Sequence, residues 1–169
     1  AMRVFITGLG AYAPPRVVAN TELAAALDTT DEWIREHLGI RERRVADDTE
    51  PTSTMGERAA RSAMQNAGVT PGDLDGLVVA TQTPDKPIPA TACIIHGSLG
   101  CGNAFAFDIN AACPGFAYAL YVVHALLSSG MAKRVLAVGT ERMSRLVDWG
   151  DRRTCVIFGD GAGAAVLEG

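Results

Sequence analysis

One cysteine in this sequence stands where a thiol can be made reactive. Cys113 follows the run AFAFDIN (104–110) after two alanines, and Pro114, Gly115 and the apolar stretch FAYALYVVHALL come directly after it. The pattern reads as strand, junction, helix, with the proline in the first helical turn, where its missing N–H is no loss. Cys113 therefore sits at or just before a helix N-terminus. Free N–H groups and the positive end of the helix dipole stabilise a thiolate there by on the order of 1 kcal/mol, roughly one pKa unit. The same N–H groups can hold the oxyanion formed from a thioester carbonyl. A tuned thiol beside an oxyanion cradle is the equipment for acyl transfer through a covalent intermediate. The plainer account is a small buried cysteine at a helix start. That account is kept for Cys93, Cys101 and Cys155, which lie in apolar stretches with no activating neighbour.

Other chemistries find little support. No C-x-x-C pair occurs, and His37, His96 and His124 stand apart without metal-site spacing. GLG at 8–10 lacks the remainder of a dinucleotide fingerprint, so neither a metal nor a redox cofactor is expected. Charged residues make up 20% of the 169 and the formal net charge is -4, which argues against a nucleic-acid partner. Nothing is apolar for long enough to span a membrane. The N-terminal AMRVFITGLGAYAPP lacks a basic segment ahead of a long apolar run, so no signal peptide is expected. Four scattered cysteines point to a reduced, cytoplasmic setting. Ala1, ahead of Met2, reads as an added residue.

The elements that must hold Cys113 in place alternate between strand and helix. Strand patterns cover 4–13, 73–83, 104–110 and 133–141, and helix patterns cover 20–27, 29–39, 52–68, 89–100 and 114–129. The 52–68 helix carries Met55, Ala59, Ala63 and Ala67 in one stripe and ends on Gly68. Thr29 or Thr30 caps the 29–39 helix, and GIRERRVA after it reads as an exposed basic link. TCVIFGDGAGAAVLEG (154–169) reads as two strands joined by Gly-Asp-Gly, a hairpin. The continuous apolar runs suit a sheet covered on both faces. The fold expected is a single α/β domain over 1–169 with a mixed, mainly parallel sheet. The helix after Cys113 is apolar almost all round, which implies burial.

Three blocks together, DTTDEWIREHLGIRERRVA, FDINAACPGFAYAL and DRRTCVIFGDGAGAAVL, resemble the ketoacyl-ACP synthase III family, thiolase-fold condensing enzymes that start fatty-acid synthesis. The blocks occur in the family's order and spacing, and the resemblance covers 2–169. It implies that Cys113 takes an acyl group from acyl-CoA and that a decarboxylating malonyl-ACP then attacks it in a Claisen condensation. It implies that Trp33 stacks on the adenine of CoA with Arg152 on the other side, that Thr29 adds polar contacts, and that Arg41 lies near the CoA phosphates. The carrier protein it implies is acidic, and Lys133 and Arg134 are the basic candidates to meet it.

The chain also departs from the family pattern. His37 stands where an Arg is often found, with Arg35 as a nearby substitute, and Pro114 replaces a small residue after the cysteine. Ile88 stands where a Phe often lines the acyl pocket of the neighbouring subunit, which points to a longer or branched acyl group. The family is about twice this length, as two similar halves in a layered αβαβα arrangement. The resemblance therefore makes this chain the N-terminal half, with the catalytic His and Asn supplied by a C-terminal half, and implies a homodimer of the whole enzyme. A lone half is expected to expose an apolar face. Two alternatives stay open. In one, the acyl-Cys113 step serves a different acceptor, as in polyketide formation. In the other, a non-catalytic fragment pairs with a partner subunit.

Overall fold

The structure, a computed structural model, describes residues 3–169; Ala1 and Met2, and with them the reading of Ala1, lie outside the described residues. Five strands form the central sheet: β1 (Phe5–Tyr12), β4 (Gly76–Ala80), β5 (Phe105–Ile109), β6 (Arg134–Arg142) and β7 (Asp160–Glu168). Their order is β1-β7-β6-β4-β5. The β5–β4 and β4–β6 pairs are parallel, and β7 runs antiparallel to both β6 and β1. Four strands thus share one direction, and the mixed, mainly parallel α/β sheet is as expected.

Side-chain alternation explains why the strands read as continuous apolar runs. Leu77, Val79, Leu136, Val138, Ala164 and Val166 pack on one face under α3 (Thr52–Ala67) and α4 (Thr91–Leu99). Val78, Ala80, Val135, Ala137, Ala165 and Leu167 pack on the other face under α5 (Gly115–Ser128). Each residue finds a core whichever way it points. α3 lies so close to β1 that a Cβ at Gly10 would stand 2.3 Å from the carbonyl oxygen of Ala59. The GLG motif is therefore a packing surface for α3. Gly39 and Gly68 end α2 (Asp31–Leu38) and α3 in the left-handed conformation, at φ 71° and 68°.

A second, smaller layer, the flap, sits beside the sheet. β2 (Arg16–Ala19) pairs antiparallel with β3 (Glu42–Val45), and α1 (Asn20–Ala24) and α2 lie between them in sequence. Val18, Leu23, Ile34, Val45, Cys155 and Val156 form its core.

Three expectations need correction. The hairpin over 154–169 is not formed. Residues 152–157 make successive turns, with the Thr154 and Cys155 N–H groups donating to the Asp151 carbonyl at 3.1 Å. Cys155 and Val156 are buried against the flap, and a short apolar run cannot be told from a strand by its period alone. The exposed basic link is β3, and Arg43 within it is buried. Its guanidinium donates to the Val18 carbonyl (3.0 Å), Asn20 Oδ1 (2.7 Å) and the Val156 carbonyl (3.1 Å). Finally, α5 is buried on one stripe only, Gly115, Ala119, Val123 and Leu127. Its Tyr118 and Tyr121 are 50% and 75% exposed, and Tyr121 lines a groove with Phe5 and Ile6 of β1.

Candidate active site

Cys113 lies at the carboxyl ends of β4, β5 and β6, the side of a parallel sheet where ligands bind in open α/β folds. Pro114 is the N-cap of α5, so the thiol stands one residue before that cap. The Gly115 N–H donates to the Ala112 carbonyl at 2.8 Å, and the Tyr118 N–H to the Pro114 carbonyl at 3.0 Å. No side chain caps α5 at this end, which leaves first-turn N–H groups for water or a ligand. Ala112 has φ 50°, the one non-glycine residue with positive φ among those described. Such a backbone costs of order 1–3 kcal/mol and persists where the surroundings impose it, often at functional sites. Here it turns the chain from β5 into α5 and sets the thiol outward.

Of the four cysteines, Cys101 and Cys155 are buried, and burial pushes both thiols up. Cys93, expected to be buried, is instead exposed, with its thiol 3.8 Å from the Ala106 carbonyl. Cys113 is exposed and opens into a cleft of about 410 Å³ whose lining includes Ala80, Gln82, Phe116, Gly139, Glu141 and Met143. Gly159, Gly161 and Gly163 of the GDGAG block form another part of that lining. Asp160, between these glycines, is not part of that lining and acts as a latch. Its carboxylate accepts the Ala46 N–H (2.7 Å), the Ser144 N–H (2.8 Å) and the Ser144 hydroxyl (2.6 Å). Glu141 and Asp160 were not singled out from the sequence. Nothing local marks Glu141, and Asp160 reads there as a turn residue.

A second constellation forms on the flap. Thr30 caps α2 by accepting the Trp33 N–H at 3.1 Å, and this presents Trp33 at the surface, 38% exposed. The Arg152 guanidinium lies over the Trp33 ring, 5.4 Å from its centroid, and donates to the Asp28 carbonyl next to Thr29. The Thr29 hydroxyl oxygen is buried without a hydrogen-bond partner. Thr29, Trp33 and Arg152 are thus brought together from positions more than a hundred residues apart. A base between two flat groups needs about 7 Å, twice the stacking rise of about 3.4 Å. The Arg152 side chain must therefore swing outward for an aromatic ligand to be sandwiched.

The remaining expected residues are placed elsewhere. Arg41 shares a groove with Glu32, Arg35, Glu36 and Gly39 that neither Trp33 nor Arg152 lines. Arg35 is paired with Asp31 at 3.4 Å. His37 stacks on Trp33 with centroids 4.5 Å apart, so it backs the indole. Ile88 is 83% exposed on the loop between β4 and α4 and does not line the Cys113 cleft of its own chain. His124 lines a groove between β1 and α5 instead of the cleft. Arg134 is engaged by Glu168 at 2.9 Å, which raises its pKa, leaving Lys133 as the freer of the two basic candidates. Among the described residues, no cluster of His, Cys, Asp or Glu could hold a metal ion, and no helix is long and apolar enough to cross a membrane.

Comparison with known proteins covers both constellations. Residues 107–169 match the family of 3-oxoacyl-[acyl-carrier-protein (ACP)] synthase III. The beta-ketoacyl-[acyl-carrier-protein] synthase III of Rhizobium johnstonii is 50% identical over 167 residues, covering 99% of this chain and 52% of that protein. The crystal structure of the Aquifex aeolicus 3-oxoacyl-[acyl-carrier-protein] synthase III superposes with a TM-score of 0.96 at 46% identity, over 99% of this chain and 54% of that one. The priming beta-ketosynthase of the R1128 polyketide pathway superposes at 0.95 with 42% identity, over 98% and 49%. The chain spans about half the length of the curated relatives it matches, and its α/β fold is thiolase-like. Along nearly all of its length, the chain is thus similar to about half of a 3-oxoacyl-[acyl-carrier-protein] synthase III.

Proposed function

We propose that this chain is the N-terminal, acyl-loading half of a beta-ketoacyl-ACP synthase III-type acyltransferase. Cys113 attacks the thioester of acyl-CoA and takes the acyl group as CoA leaves. A carbanion formed by decarboxylation of malonyl-ACP then displaces the thiol to give 3-oxoacyl-ACP, the first condensation of fatty-acid synthesis. The observation that carries this reading is the exposed thiol one residue before the N-cap of α5, open to the cleft at the strand ends. First-turn N–H groups of α5 supply part of the oxyanion hole. Thr29, Trp33 and Arg152 hold the nucleotide end of CoA, with Arg41 toward its phosphates and Ile88 reaching the acyl pocket of a neighbouring subunit. The reaction calls on neither a metal nor a redox cofactor, and the setting is cytoplasmic.

The base and the decarboxylation machinery come from a complementary C-terminal half, and the whole enzyme works as a homodimer. The exposed Phe5, Ile6 and Tyr121, which line one groove between β1 and α5, support the complementary half, because an exposed apolar face calls for a cover. The test is direct. The chain is incubated with an acyl-CoA, with and without a supplied second half, and Cys113 is examined by intact and peptide mass spectrometry. A thioester on Cys113 is expected with the second half present; none under either condition sinks the reading and leaves a non-catalytic pairing role. The likeness to a polyketide priming ketosynthase favours one second reading, acyl loading for a different acceptor. An adduct that fails to condense with malonyl-ACP would select it.

A further inference from the structure

Glu141 is the carboxylate of the cleft that the proposed reaction leaves without a task. It stands at the carboxyl end of β6, across the corner where the chain leaves β4. Its Oε1 accepts the Gln82 N–H at 2.8 Å. Its Oε2 accepts the Thr83 hydroxyl and, at 3.4 Å, the Thr81 hydroxyl. Both hydroxyl oxygens already accept a backbone N–H: Thr81 Oγ1 from Thr83 at 3.1 Å, and Thr83 Oγ1 from Arg142 at 2.9 Å. Their protons are therefore free to go to Glu141. The corner offers three donors to one side chain, so it is matched by a group that only accepts.

The network continues inward. The Thr52 hydroxyl donates to the Thr83 carbonyl at 2.6 Å, and the Thr140 hydroxyl donates to the Thr52 carbonyl at 2.8 Å. Thr52, Thr81, Thr83 and Thr140 are all buried. A satisfied buried network of this kind is rigid and specifies one arrangement. The segment hung from it is the loop from Thr81 to Ala90. Gln82, at its base, forms part of the cleft lining that Cys113 shares. Ile88, near its far end, is exposed.

We propose that Glu141 is a positioning residue, which locks the Thr81–Thr83 corner so that one wall of the cleft stands at a fixed place relative to the Cys113 thiol. Substrate fit in the cleft then depends on a carboxylate that need not touch the substrate. The part of this that concerns acyl groups rests on the acyl-Cys113 reading above.

Glu141→Gln keeps the size of the side chain but turns an amide NH2 toward the two hydroxyl donors. Thr83→Val removes the facing hydroxyl, so it tests the same clamp from its other side. In the chain as it stands, both variants are expected to change the rate at which iodoacetamide alkylates Cys113 several-fold toward faster reaction. With the second half supplied, both are expected to raise KM for acyl-CoA several-fold and to flatten the kcat/KM ratio between a short and a longer acyl-CoA, while kcat moves little. Variants that melt lower yet keep the wild-type alkylation rate and acyl ratio would overturn the proposal, leaving Glu141 as a fold-stabilising residue. If the wild type forms no thioester but the variants still alkylate faster, the positioning role stands and the acyl reading falls. If the wild type is acylated and the variants match it in every readout, the positioning role falls alone.

Discussion

The Cys113 cleft and the Trp33–Arg152 platform are built from opposite kinds of structure. The cleft hangs on β4, β5 and β6, with β4 and the middle of β6 buried on both faces, and its walls are tied by a network of buried threonines. The platform stands on an eight-residue helix of a two-stranded flap, and its parts are joined by contacts at the surface. A nucleophile has to be held to fractions of an ångström, because a misplacement of about 1 Å can cost a hundredfold in rate. A handle for a large leaving group has a different need. It must open and close on its ligand, and the 5.4 Å between the Arg152 guanidinium and the Trp33 ring is a closed state that has to widen.

The largest expected effect separates the two regions completely. Cys113→Ala should abolish the acyl adduct, since no other exposed thiol shares the cleft. It should leave the affinity of the platform for CoA unchanged, because none of Thr29, Trp33 and Arg152 lines that cleft. Intact mass spectrometry reads the first and isothermal titration with CoA reads the second. A Cys113→Ala chain that still gains one acyl mass, with Cys93 labelled, would move the nucleophile to Cys93.

Asp160 is the joint between the regions, so its loss should disturb both at an intermediate level. It holds Ala46, just beyond β3 of the flap, and Ser144, just beyond β6 of the sheet. Asp160→Ala orphans the buried Ala46 N–H and both Ser144 donors. An unsatisfied buried donor costs about 1–3 kcal/mol, so a loss of roughly 2–4 kcal/mol is expected in denaturant melts. Asp160→Asn retains one accepting oxygen and should lose less. If both variants melt like the wild type, the latch does not join the regions.

The same contrast explains what could be read from the sequence. The cleft was legible because its position follows from local pattern. Apolar runs mark β4, β5 and β6, Pro114 and Gly115 mark the start of α5, and Cys113 falls between. Its supporting corner was not legible. Glu141, Thr81, Thr83 and Thr52 meet only after β6 is placed beside β4 and α3 beside both, and no spacing announces that. The left-handed Ala112 is likewise invisible, since alanine gives no hint of positive φ. On the flap, Thr30 and Gly39 delimit α2 as their types suggest, whereas the RERR run misleads. Three arginines in four residues look solvated, yet Asn20 and two carbonyls draw Arg43 inside. The 154–158 run misleads in the opposite sense, since Cys155 and Val156 are buried against the flap while the chain there forms turns. Family resemblance supplied the Trp33–Arg152 pairing, which no local pattern could, because 118 intervening residues separate the two.

The smallest expected effect tests whether the platform is a handle and nothing more. Trp33→Ala removes the ring on which Arg152 and His37 both rest. Stacking of a base on an aromatic side chain is worth about 1–3 kcal/mol, and the surface position of Trp33 places the loss near the low end, roughly 10-fold in KM for acyl-CoA. The alkylation rate of Cys113 should not change, since the indole lies outside the cleft and the Glu141 network. Trp33→Phe, which keeps a smaller flat ring, should recover part of the affinity. The comparison breaks if Trp33→Ala lowers kcat as much as kcat/KM. That result would mean the flap acts on the thiol's geometry, and the route would have to run through Asp160, the side chain that grips both regions.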